Sequence, residues 1–103
     1  MHTKINAYKQ NLSPKRIFET IISNLSRYKN TSFKKDDRLN ALRESKELLE
    51  YIISVYEPSG DDIIVVIGLN KIVVTITKCL MFQDKVHEVN DEIGFLRILS
   101  ESL

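Results

Sequence analysis

Residues 63–77 read Ile-Ile-Val-Val-Ile-Gly-Leu-Asn-Lys-Ile-Val-Val-Thr-Ile-Thr, and this stretch decides which fold the chain is expected to take. Eleven of these residues are β-branched. Such side chains lose rotamer freedom against the preceding turn of a helix and pack well on a pleated surface. Between the two runs stands Gly68-Leu69-Asn70-Lys71, which contains residues that tolerate turn geometry, so the stretch predicts a β-hairpin. Alternation then puts Ile63, Val65, Ile67, Ile72, Val74 and Ile76 on a core face. Ile64, Val66, Val73, Thr75 and Thr77 form a second face, apolar enough to be half covered or to meet a partner. The second strand can continue through Cys79 to Phe82, with a turn at Gln83-Asp84 and a short third strand over residues 85–89.

Helices are expected on both sides. Ser13-Pro14 is a helix start, with Ser as N-cap and Pro at the first helical position. Ile17, Phe18, Ile21, Ile22, Leu25 and Tyr28 follow at helical spacing and end near Lys29-Asn30. A second helix starts at Asp36 or Asp37 and runs to about Tyr56, with Leu39, Leu42, Leu49, Ile52, Ile53 and Tyr56 as its stripe. Arg43 with Glu47 and Lys46 with Glu50 are spaced for ion pairs on its solvated side. Pro58-Ser59-Gly60 stops it. A last helix is expected with Asn90 as N-cap, Asp91 and Glu92 in its first turn, and Ile93, Leu96, Leu99 and Leu103 inward. The expected fold class is therefore α+β. Two antiparallel N-terminal helices precede a central β-hairpin or three-stranded antiparallel meander, and a C-terminal helix follows. The chain reads as one globular domain over residues 1–103, with residues 1–12 a partly ordered lead-in.

A chain of 103 residues, 43% hydrophobic and 28% charged, has the composition of an ordinary globular domain with a core of its own. One cysteine excludes an internal disulfide framework and suits a reducing compartment. The first ten residues contain no apolar segment of a secretory signal, and the longest apolar run, residues 63–67, is too short to span a bilayer. These points predict a cytoplasmic protein without a membrane partner. Residues 1–43 carry ten Lys and Arg against three Asp and Glu, a net +7; residues 44–103 carry five against eleven, a net −6. The halves complement each other, or they present a basic and an acidic face to a charged partner.

Chemistry-bearing patterns are scarce. Gly60, Gly68 and Gly94 are too scattered for a phosphate-cradling loop, and His2 and His87 with Cys79 have no zinc-ligand spacing. Cys79 beside Leu80, Met81 and Phe82 reads as a small buried hydrophobe. No catalytic residue, metal site or cofactor is expected, and the chain reads as a non-enzyme. Its expected function is protein binding, most sharply as an inhibitor of the immunity-protein or antitoxin type that neutralises a specific protein such as a toxin. The acidic residues Asp61, Asp62, Asp84 and Glu88 at strand ends, and the basic Lys34, Lys35 and Arg38 between the first helices, are the candidate partner-binding residues. That basic group, flanked by Tyr28 and Phe33, is also the nearest approach to a nucleic-acid patch. It lacks a recognisable motif, so nucleic acid is the lesser expectation.

Asn6-Ala7-Tyr8-Lys9-Gln10-Asn11, followed by Ser13-Pro14 and an amphipathic helix, resembles the start of flagellin export chaperones of the FliS type. Residues 44–57 are similar in pattern to their second long helix. The resemblance implies an all-helical bundle that wraps a flagellin C-terminus, whereas the β-branched block implies a sheet.

Overall fold

The computed structural model describes residues 13–55 and 62–103, which hold four helices and no strand. Helix α1 spans Pro14–Lys29, α2 Lys35–Val55, α3 Asp62–Met81 and α4 Asn90–Glu101. The expected lead-in at residues 1–12, the helix stop at Pro58-Ser59-Gly60, Tyr56 and Asp61 lie outside the described residues.

The first two helices form where their patterns place them. The Ser13 hydroxyl accepts a hydrogen bond from the Arg16 N–H at 3.4 Å, and Pro14 opens α1. Arg27 and Lys29 stand in its last turn, where cations suit the negative end of the helix dipole. Ile17, Phe18, Ile21, Leu25 and Tyr28 are buried on one face. Asp36 and Asp37 occupy the first turn of α2, which buries Leu39, Leu42, Leu48, Leu49 and Ile52. Of the two expected ion pairs, Lys46–Glu50 is present at 3.5 Å. Arg43 instead donates to the Asn40 side chain at 2.9 Å.

The α+β expectation fails at residues 62–81, which form one continuous helix in place of the hairpin or meander. Each β-branched residue opposes a helix by about 0.5–0.7 kcal/mol relative to alanine, so eleven oppose it by roughly 5–8 kcal/mol. Helical spacing in turn buries Leu69, Ile72, Ile76 and Cys79 on one face, at most 3% exposed. Each large aliphatic side chain so buried contributes about 1.5–3 kcal/mol. Those two effects nearly cancel, and the backbone decides. A helix satisfies its hydrogen bonds within itself, whereas a two-stranded hairpin leaves both edges open and is marginal by itself. The polar side chains fit the helix as well. Asn70, Thr75 and Thr77 donate to the carbonyls of Val66, Lys71 and Val73 one turn back. Leu69, expected at a loop tip, is fully buried.

The third strand expected over residues 85–89 is absent as well; residues 82–89 form the connection between α3 and α4. The Tyr28 hydroxyl accepts the His87 N–H at 2.8 Å, and a His87 ring nitrogen lies 2.9 Å from the Phe82 carbonyl oxygen. Val89, fully buried, seats the connection in the core. Asn90 is the first residue of α4 and not its N-cap, a position taken by Val89 without a side-chain cap.

Helix α1 packs against α2 and α4, and α2 packs against α3. Asn24 of α1 donates to Glu44 of α2 at 2.8 Å, and the Arg38 Nε near the start of α2 donates to the Tyr28 carbonyl near the end of α1 at 2.8 Å. The pair is therefore antiparallel, as expected. Thr75 of α3 reaches Glu92 early in α4, and Gly68 meets Phe95 further along it, so these two helices also run in opposite directions. The result is an up-down-up-down arrangement around one core, to which all four helices contribute.

Gly94 lies inside α4, and a Cβ added there meets no atom within 4 Å. Gly94→Ala is expected to stabilise the fold by about 1 kcal/mol and to raise the thermal midpoint by roughly 4–8 °C, which a melt followed by circular dichroism measures.

Candidate protein-binding groove

At Gly68 the Phe95 side chain of α4 reaches across to α3. A Cβ on this residue would stand 2.3 Å from the tip of the Phe95 ring, so the ring lies against bare backbone. Beside this contact a groove of about 330 Å³ lies between the two helices. Ile64, Ile67 and Ile72 of α3 and the Phe95 ring form its walls; Lys71 stands on one rim, Asp91 and Glu92 on the other. The Thr75 hydroxyl donates to the Glu92 carboxylate at 3.3 Å. The groove opens onto a bare helix face. Ile64 is 69% exposed, and Ile63, Ile67, Val74 and Met81 are each about half exposed or more. Residues Ile63–Met81 have a mean hydropathy of 2.0 and are long and apolar enough to cross a membrane, with only 22% of the segment buried. The apolar run that looked too short to span a bilayer is thus part of a helix that is long enough.

A smaller pocket, about 160 Å³, lies at the end of the bundle where α1 finishes. Tyr28, Leu39 and Cys79 line it with Lys35, Arg38, Asp84 and Lys85. Three of the residues singled out by sequence, Lys35, Arg38 and Asp84, therefore meet around one cavity. Arg38 is held there by its bond to the Tyr28 carbonyl, with its guanidinium 5.6 Å from the centre of the Tyr28 ring. Lys34 is exposed just before α2, and its carbonyl accepts the Arg38 N–H. Glu88 is exposed in the α3–α4 connection and accepts from the Asn90 amide at 3.2 Å. The expected setting of the acidic residues at strand ends does not exist. Asp62 opens α3 and Asp84 follows its far end, roughly 30 Å away at 1.5 Å per helical residue, so the acidic group is not one patch. Asp61 lies outside the described residues.

Cys79 is buried, and burial raises its thiol above the ordinary value; burial also raises the Tyr28 phenol. Among the described residues no group of three or more His, Cys, Asp and Glu is placed to hold a metal ion. The groove residues Ile64, Ile67, Gly68 and Phe95 escaped the sequence reading because two-residue alternation split the isoleucines between faces and made Gly68 a turn. The signal that finds them is the spacing of Leu69, Ile72, Ile76 and Cys79 in steps of three and four. Comparison of the chain with protein-family models, with curated proteins and with solved structures found no match.

Two outcomes follow from this geometry. Gly68→Ala is expected to swing the Phe95 ring out of the groove, read as large shifts of the Phe95 ring protons, while the helical circular dichroism stays unchanged. Raised thiol and phenol values mean that the unfolded chain loses these protons first as pH rises. Stability is therefore fully present below pH 9.0, the ordinary value of a thiol, and declines above it; urea melts across that range measure the slope, which Cys79→Ala should reduce.

Proposed function

We propose that this chain is a non-catalytic protein-binding module that holds an apolar, helix-forming segment of a partner protein along the α3–α4 groove. The observation that carries the reading is the exposed apolar surface of α3. Soluble monomers rarely leave large contiguous apolar patches bare, and such patches rimmed by charge mark sites of association. A groove between two helices, with apolar walls and opposite charges on its rims, suits an amphipathic helix that presents anchors one turn apart. The role nearest to this chemistry is that of an export chaperone of the FliS type, in the cytoplasm, shielding a segment of a secreted subunit. What supports it is the all-helical bundle together with Asn6-Ala7-Tyr8-Lys9-Gln10-Asn11 and Ser13-Pro14, since the block that argued for a sheet is helical.

The second reading is an inhibitor of the immunity-protein or antitoxin type. The pocket at the end of the bundle favours it, because Lys35, Arg38, Asp84 and Lys85 around it form a mixed-charge surface suited to a folded, charged partner. Nucleic-acid binding has less support. Two of the three basic candidates line that pocket beside Asp84, and Arg38 is tied to Tyr28.

Site-specific photo-crosslinking separates these readings. A photoreactive phenylalanine at position 95 is expected to capture one apolar peptide of a partner, and the same probe at Lys35 is expected to capture none. Ile64→Asp with Ile67→Asp should abolish capture at position 95 while the chain stays helical. Capture at position 35 alone favours the inhibitor. A steep loss of binding with added salt, with nucleic acid recovered, supports the third role instead.

A further inference from the structure

The outer face of α3 carries a second pattern that the groove shares only at Ile67. Ile63, Ile67, Asn70, Val74, Thr77 and Met81 follow one another in alternating steps of four and three. That is the seam of a two-helix coiled coil, with Ile67, Val74 and Met81 at one heptad position and Ile63, Asn70 and Thr77 at the other. The four apolar members are between 45% and 68% exposed. Asn70 is exposed and Thr77 half-buried on the same face. The rest of the bundle covers the opposite face, Leu69, Ile72, Ile76 and Cys79. This line, nearly the length of α3, has no mate within the described chain.

We infer that the mate is a second copy of this chain, whose own α3 packs parallel along the seam with Asn70 against the partner subunit's Asn70. Two features select a copy over another occupant. Asn70 stands near the middle of the helix, where an apolar helix or a lipid chain would bury its amide without a partner. One amide proton is used on the Val66 carbonyl at 3.0 Å, and the carbonyl oxygen and second proton form the reciprocal pair that an identical amide completes. A single polar seam residue of this kind fixes register and partner number in coiled coils. The flanks select the orientation. Lys71 and Lys78 lie on one side of the seam, and Val66, Val73 and Leu80 lie on the other. A parallel pair sets each lysine stem beside the valines of the other copy. An antiparallel pair sets Lys71 against the partner subunit's Lys71. Ile67 belongs to both the seam and the groove, so dimerisation and occupancy of the groove compete.

The test uses the full chain alone and does not depend on any groove ligand. Sedimentation equilibrium over a wide concentration range is expected to show a species of twice 11.9 kDa that dissociates on dilution. Val74→Glu, at a half-exposed seam position, should weaken self-association by roughly tenfold or more. Ile98→Glu, exposed on α4 away from the seam, should leave it unchanged, with circular dichroism showing both variants folded. In a Cys79→Ser background, Asn70→Cys should form an intermolecular disulfide on mild oxidation. A chain that stays monomeric at every concentration overturns the inference, as does a dimer indifferent to Val74→Glu or an Asn70→Cys variant that does not cross-link. A monomer that floats with phosphatidylcholine–phosphatidylglycerol vesicles also overturns it, because the seam then belongs to a lipid surface.

Discussion

The inward stripe of α3 is the constraint on which the rest of this bundle depends. Leu69, Ile72, Ile76 and Cys79 close the core against α2, and α1 joins α2 to α4 on the other side. Were the stripe to turn outward, Leu42, Leu49 and Ile52 would lose part of their cover, and the pocket formed by Tyr28 and Cys79 would open. Because only one face of α3 turns inward, a helix apolar on nearly every side must leave the remainder bare. The groove and the seam are both consequences of that asymmetry.

Tyr28 does comparable work at the end of the bundle where α1 finishes. Its hydroxyl accepts from the backbone of the α3–α4 connection, its carbonyl accepts from Arg38 of α2, and its ring lies under the same guanidinium. Three elements therefore meet at one side chain whose burial is nearly complete. The basic cluster that looked free for a partner is partly committed to this structural role. This explains why charge bias along the sequence was a weak guide to a binding face. The +7 and −6 halves meet where Asn24 donates to Glu44 and where Lys29 donates to the side chain of Asn90.

An apolar face that is bare in the free chain is costly for a soluble protein unless something covers it part of the time. The proposed groove ligand and the inferred second copy would be two such covers, and their shared use of Ile67 would make them alternatives. Such an arrangement would keep the face hidden from other proteins when the partner is absent.

Sequence alone determined α1, α2 and the existence of α4, because each has a one-sided apolar stripe and polar residues elsewhere. Ser13-Pro14 and the acidic first turns of α2 and α4 mark where they begin. It also placed Cys79 in the core. In residues 63–77 ten of the fifteen positions are aliphatic, so apolar residues match both a period of two and one of 3.6 and neither is preferred locally. Only the tertiary structure decided, since α2 offered a surface that Leu69, Ile72 and Ile76 fill together only when they are spaced on a helix. The groove became legible for the same reason. Gly68 looks like a turn residue in isolation, and its use as the point where Phe95 meets bare backbone depends on a helix that packs beside it from further along the chain.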